Sequence, residues 1–192
     1  MAVRVLPYPI IKRAHQEQFT RLTAIVHRVQ YSALVDSDID ELAAALFDEA
    51  VFEFIGGLPS RAEFDRWFHA ALAGPPSNRS GDIWLNYCVR SVDSGSLIGR
   101  LEASIHDNLA EVGFLYKPGV WGHGYASEGL LWLQQQLLQY TNVASIWGVT
   151  HPGNRRSAAL LQKFGFVEAP YHGSPVLYSY DEGDLVFRRG VT

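Results

Sequence analysis

AEVGFLYKPGVWGHGYAS, residues 110–127, is the stretch on which the reading of this chain turns. Ala110 to Tyr116 is an apolar run of strand length, and Lys117 to Gly124 is a proline- and glycine-bearing loop. A helix follows, with Ala126, Leu130, Leu133 and Leu137 on one face. Gly122 and Gly124 lack a Cβ, so the chain can bend tightly and turn consecutive main-chain N–H groups on one point. The helix start adds unpaired N–H groups and its positive dipole end. Together these predict an anion site suited to a phosphate or diphosphate. Between Gly129 and Val167 there is no Asp or Glu, so past Glu128 no acid on the helix opposes a bound anion.

Two familiar phosphate loops are excluded. No Gly-Lys-Ser/Thr run occurs, so a Walker loop is absent. A dinucleotide fold wants a third glycine where Ser127 stands, and an acid about 20 residues further on that is missing here. Nicotinamide binding is therefore disfavoured.

Outward from this stretch the chain reads as one mixed α/β domain. Before it, Ile83–Val92 and Leu97–Ile105 flank the turn-forming Asp93-Ser94-Gly95-Ser96 and predict a hairpin continued by 110–116. Ser60 and Glu63 form a capping box, and Phe64, Trp67, Phe68, Ala71 and Leu72 follow at helical spacing. A second apolar helical face, Ile39, Leu42, Ala43, Leu46 and Phe47, lies behind the acids of 36–38, and 19–30 is a weak strand. After it come a strand at 145–150, a helix opening at Asn154 and stopping at Gly165, and strands at 166–169 and 176–186. The predicted order β-α-α-β-β-β-loop-α-β-α-β-β gives an α/β (α+β) fold with a mostly antiparallel sheet. Residues 1–18, with Pro7 and Pro9, form an N-terminal arm, and 19–192 the single domain.

Composition narrows the class of partner. With 47% apolar and 19% charged residues the chain can bury a core. A net charge of −4 argues against nucleic-acid binding through broad basic surfaces. No apolar run approaches the roughly 20 residues needed to span a bilayer, and no signal peptide is evident, so a cytoplasmic protein without membrane contact is expected. Cys88 is the single cysteine and reads as a buried strand residue. None of the seven histidines has metal-ligand spacing, so no metal is expected.

Trp121-Gly122-His123-Gly124-Tyr125-Ala126, three residues past Pro118, resembles the Q/R-x-x-G-x-G/A acetyl-coenzyme A loop of the GNAT superfamily of N-acetyltransferases. WGHGYASEG is especially similar to the branch of ribosomal-protein N-terminal acetyltransferases (RimJ/RimL type). Asn154-Arg155-Arg156-Ser157 through Lys163-Phe164-Gly165-Phe166 resembles that branch's second motif, N-x-x-S followed by K-x-G-F. The resemblance is clear over residues 82–169 and extends plausibly from 20.

It implies an acyl-CoA N-acyltransferase fold with helices on both sheet faces, and acetyl transfer from acetyl-coenzyme A to a primary amine, on a protein N-terminus or a small molecule. The strand before the loop would splay from its neighbour at a bulge, offering Phe114, Leu115 and Tyr116 to the pantetheine and the acetyl carbonyl. Amides from Gly122, His123, Gly124, Tyr125, Ala126 and Ser127 would hold the diphosphate. Trp121, beside them, would also line the coenzyme site. Asn154 is either a helix cap or a pantetheine contact, and Arg155 or Arg156 faces the adenosine 3′-phosphate.

An alkylammonium must lose a proton before it attacks, so a carboxylate base is expected. Glu111 is the first choice and Glu102 the second. Many relatives carry a tyrosine near the thiol at the position of Leu161; Ser157 is the hydroxyl left to replace it. That departure keeps open a non-catalytic acyl-coenzyme A binding or assembly module. Phe52, Phe54, Trp67, Tyr171, Tyr178 and Tyr180 suit the core, an acceptor site or a contact between two copies of the chain.

Overall fold

Two tight turns fold the middle of the chain into an antiparallel meander of β2 (Ile83–Ser91), β3 (Leu97–His106) and β4 (Leu109–Tyr116). The second is a two-residue connection in which Asp107 (φ 44°) and Asn108 (φ 61°) both take the left-handed conformation, which these residue types tolerate best. The computed structural model describes residues 28–191. The expected arm at 1–18, and most of the expected strand at 19–30, lie outside the described residues. The first described strand, β1, is Val29–Ala33 and pairs antiparallel with β2.

The remaining elements are α1 (Ile39–Leu46), α2 (Glu49–Phe52), α3 (Arg61–Ala73), α4 (Tyr125–Leu137), β5 (Ser145–Thr150), α5 (Arg155–Lys163), β6 (Val167–Glu168) and β7 (Leu185–Gly190). The sheet order is β1-β2-β3-β4-β5-β7-β6, and β4–β5 is its parallel pair. α3 starts at the expected capping box, with Glu63 N–H donating to Ser60 Oγ and Ser60 N–H to Glu63 Oε2 (2.9 Å). α2 had no sequence expectation. A single turn is too short to show a period, and Asp48 sustains it by accepting from the Ala50 N–H at 2.8 Å.

Helices cover both faces. α1 and α3 bury Leu42, Leu46, Phe64 and Phe68 against Cys88 and Leu97. α4 and α5 bury Leu130, Leu133, Leu137 and Leu161 against Leu101, Ala103, Ala110 and Ile146. Burial, chiefly, and the neighbouring Asp38 push the Cys88 thiol up to about 12, so it stays protonated as an apolar strand residue.

The last expected strand needs correction. Residues 176–184 are loop, and the strand is Leu185–Gly190. The alternation Val176-Leu177-Tyr178-Ser179-Tyr180 imitates a strand, but its main chain is bound by side chains instead of a ladder. Leu177 N–H donates to Tyr171 Oη, and the N–H groups of Tyr178 and Ser179 donate to Glu111.

β4 and β5 pair only at Leu109↔Ser145, Ala110↔Ile146 and Glu111↔Trp147. Beyond Glu111 they part, as the resemblance implied, but without the bulge: β3 and β4 stay in unbroken register from Gly99↔Tyr116 to His106↔Leu109. The strands part because each is tied to a different helix through a glycine. A Cβ at Gly129 of α4 would stand 2.1 Å from Tyr116 Oη of β4. A Cβ at Gly148 of β5 would stand 2.8 Å from Leu161 Cδ2 of α5. Gly129→Ala should therefore cost about 1–3 kcal/mol in urea unfolding, as overpacking does. Gly119→Ala, where a methyl meets open space, should leave the midpoint unchanged.

Candidate active site

The parted strands border a cavity of about 460 Å³. β4 lines it with Phe114, Leu115 and Tyr116, and α5 with Asn154, Arg156, Ser157, Leu160 and Lys163. Ala50, Val51 and Phe54 close it from the α1–α3 side; Phe54 stacks on His151 with ring centroids 5.5 Å apart. Its far end is the glycine loop and the first turn of α4.

That loop has the conformation its glycines permit. Gly122 (φ 79°) and Gly124 (φ 83°) are both left-handed, and Gly124 is the N-cap of α4. The N–H groups of Gly122, Gly124, Tyr125, Ala126 and Ser127 have no main-chain acceptor among the described residues, as expected at a helix start. This cluster of donors with the helix dipole behind it fits a diphosphate. Two cations stand beside it: the Arg156 guanidinium lies 4.2 Å from the Trp121 ring centroid, and Lys163 Nζ donates to Ser127 Oγ at 3.3 Å. Trp121 is itself fixed, its Nε1–H donating to Tyr116 O at 2.7 Å.

Arg28, which no sequence signal singled out, braces the loop from outside. Its Nη1 donates to His123 O at 2.8 Å, its Nε lies 3.4 Å from Glu128 Oε2, and its guanidinium covers the Tyr125 ring at 4.6 Å. It thereby offsets the one acid in the first turn of α4. The signal would have been a cation just before β1, visible only once that strand's place beside the loop is known.

The ladder alternation identifies the groups facing the gap. Lys117 N–H donates to Ile98 O, continuing the β3–β4 register, so the odd-numbered residues of β4 bond to β3. Val112, Phe114 and Tyr116 consequently present their N–H and C=O toward the missing β5 contacts. The Phe114 N–H is thus a main-chain donor at the point of parting.

The two candidate carboxylates differ sharply in environment. Glu111 is only 5% exposed and accepts from His106 Nε2 (2.8 Å), Tyr178 N–H (2.7 Å), Ser179 N–H (3.0 Å) and the Ser179 hydroxyl. So many donors make it a clamp on the 176–184 loop and occupy the acceptor sites of both its oxygens. Glu102 is half exposed, ion-paired to Arg100, and lies across Gly113, where a Cβ would stand 2.6 Å from its Oε1. Both line a second cavity, of about 430 Å³, over Val112 and Gly113. The two cavities thus take consecutive segments of β4, Phe114–Tyr116 lining the first and Glu111–Gly113 the second.

The GNAT acetyltransferase domain family matches residues 28–167. The chain belongs to that family. An acetyltransferase from Agrobacterium tumefaciens str. C58 superposes with a TM-score of 0.67 at 21% identity, over 99% of this chain and 100% of its own. RimL, a ribosomal L7/L12 α-N-protein acetyltransferase in complex with coenzyme A, gives 0.68 at 15% identity, over 86% of this chain and 95% of its own. The aminoglycoside acetyltransferase AAC(6′)-Ib, also with coenzyme A, gives 0.65 at 17% identity, over 84% and 94%. Curated proteins searched by sequence give no match.

In this GNAT domain Phe114, Leu115, Tyr116, Trp121, Gly122, Gly124, Tyr125, Ala126, Ser127, Asn154 and Ser157 all line one cleft. Asn154 also caps α5, accepting from the Ser157 N–H at 3.1 Å. His123 and Arg155 do not line it: both are exposed, and His123 takes part through its carbonyl alone. Of the two arginines it is Arg156 that reaches the cleft. Leu161 is 1% exposed on Gly148, a core contact with no place for a tyrosine hydroxyl. The Tyr116 hydroxyl is no substitute. It is buried under Gly129, and desolvation, then Tyr31 and Glu128, hold its pKa far above the ordinary value. Arg156→Ala should weaken coenzyme A binding by about 1 kcal/mol, roughly fivefold in Kd and less at high salt, whereas Arg155→Ala should leave calorimetric affinity unchanged.

Proposed function

We propose that this acetyltransferase moves the acetyl group of acetyl-coenzyme A to a primary amine held in the second cavity, with Glu102 as the base. The observation that carries this reading is that consecutive segments of β4 line the two cavities, Phe114–Tyr116 the first and Glu111–Gly113 the second, with the Glu102 carboxylate against Gly113. A coenzyme diphosphate on the amides of 122–127 directs the pantetheine along Phe114–Tyr116 between the parted strands. The acetyl carbonyl then lies by the Phe114 N–H, a donor positioned for the charge that develops on that oxygen. The amine enters from the opposite side of β4 and gives its proton to Glu102, directly or through a water.

Gly113 is what admits the carboxylate, since a side chain there would displace it. Arg100 holds Glu102 in place and is itself fixed by donating to Asn86 Oδ1 at 2.6 Å. On the leaving side Ser157 is the hydroxyl of α5 that lines the cleft, and it hydrogen-bonds the departing sulfur. A chain whose lone cysteine makes no disulfide suits the reducing cytoplasm, where we place the activity.

Loss of a general base costs roughly 10²–10⁴-fold in rate. Glu102→Gln should therefore lower kcat at least about 100-fold with coenzyme affinity unchanged. Glu111→Gln should instead lower the unfolding midpoint, because it leaves buried donors unmatched. A Glu102→Gln enzyme with near-normal kcat would remove Glu102 from the reaction.

A further inference from the structure

The second cavity has a floor of β2, β3 and β4 and lies between α3 and the 176–184 loop. Aromatic groups form three of its sides: Trp67 from α3, Trp84 from β2 and Tyr178 from the loop. Trp67 is 50% exposed, so its ring is available to whatever enters. Tyr178 is rigidly placed. His106 stacks under it with centroids 4.0 Å apart, the Arg79 guanidinium covers it at 3.7 Å, and Glu111 holds its N–H.

The charge of the lining is equally specific. Its acids are Glu102 and Glu111, and Glu111 is already saturated by four donors. Its one cation, Arg100, pairs with Glu102. Two acids against one cation leave the described lining with a net charge of −1, and the half-exposed Glu102 is the carboxylate that an ammonium group can share with Arg100. A polyamine or aminoglycoside would bring several positive charges to a lining whose net charge is −1, at a desolvation cost for those left unmatched. An amine with one charge beside a flat or bulky apolar group would satisfy Glu102 and bury its apolar part against Trp67 and Trp84.

We infer that the acceptor is a monocationic primary amine bearing an aromatic or large apolar group next to the amino carbon. The class covers peptide N-termini beginning with such a residue and small arylalkylamines. This rests on the acetyl-transfer reading above and specifies its acceptor. Tryptophan contributes through its ring face, so Trp67→Phe should retain most of the contact and Trp67→Ala should lose it.

The test measures kcat/KM at saturating acetyl-coenzyme A for phenethylamine, peptides beginning with Phe, Leu, Ser or Asp, spermidine and kanamycin. Calorimetry with coenzyme A runs in parallel. The aromatic and leucine acceptors should exceed spermidine and kanamycin by about tenfold or more. Trp67→Ala should raise their KM roughly fivefold with coenzyme affinity unchanged, and Trp67→Phe should restore it. Phenethylamine and the Phe peptide separate the small-molecule source from the peptide source. Preference for the polycations or for the Ser and Asp peptides, or an unaltered KM in Trp67→Ala, overturns the inference while acetyl transfer stands. Coenzyme binding with no turnover of any amine overturns the assigned acceptor, and failure to bind coenzyme A sinks the acetyl-transfer reading with it.

Discussion

The parting of β4 from β5 after Glu111 is the constraint on which the site depends. A paired β4 would have its N–H and C=O groups occupied and no gap beside it. Once parted, it leaves polar main-chain groups that an extended ligand can satisfy, much as an added strand would. The separation is maintained by packing. α4 approaches β4 closely at Gly129, α5 approaches β5 closely at Gly148, and neither contact leaves room for a methyl group. The same two helices bring their N-terminal ends to the mouth of the gap, so the geometry that parts the strands also places helix-start N–H groups there.

Charge is arranged around that mouth with some economy. Glu128 sits in the first turn of α4, where an acid suits the helix but opposes an anionic ligand. Arg28 offsets it while holding the loop carbonyl of His123. Arg156, at the start of α5, has the unfavourable position for a helix cation and is directed over Trp121 into the cleft. A cation that weakens its own helix slightly is consistent with a group kept for an anionic ligand. On the other face of β4, Glu111 is occupied by the C-terminal loop, while Glu102, paired with Arg100, stays half exposed.

Local patterns were legible in the sequence where local physics decides them. The capping box at Ser60, the hairpin at 93–96 and the glycine loop were read close to their observed bounds, because turns and caps depend on neighbouring residues. That the glycine loop and the start of α4 border one cleft followed from the motif, since loop and helix start are contiguous. What was not legible depends on distant partners. Glu111 and Glu102 are both acids on adjacent strands, and only the C-terminal loop, 67 residues from Glu111, reveals which one is saturated. The same loop looked like a strand because its alternation is real while its hydrogen bonds run to side chains. Arg156 and Arg155 are neighbours in sequence, and the rotation of α5 alone separates them.

The central claim is that main-chain amides between Gly122 and Ser127 grip a diphosphate. Amide NMR of the protein titrated with coenzyme A, and separately with pantetheine, tests it most directly, because pantetheine lacks the diphosphate. The account predicts large shifts at Gly122, Gly124, Tyr125, Ala126 and Ser127 with coenzyme A, and little change there with pantetheine. Equal shifts with both ligands, or none at these amides while coenzyme A binds elsewhere, would contradict it.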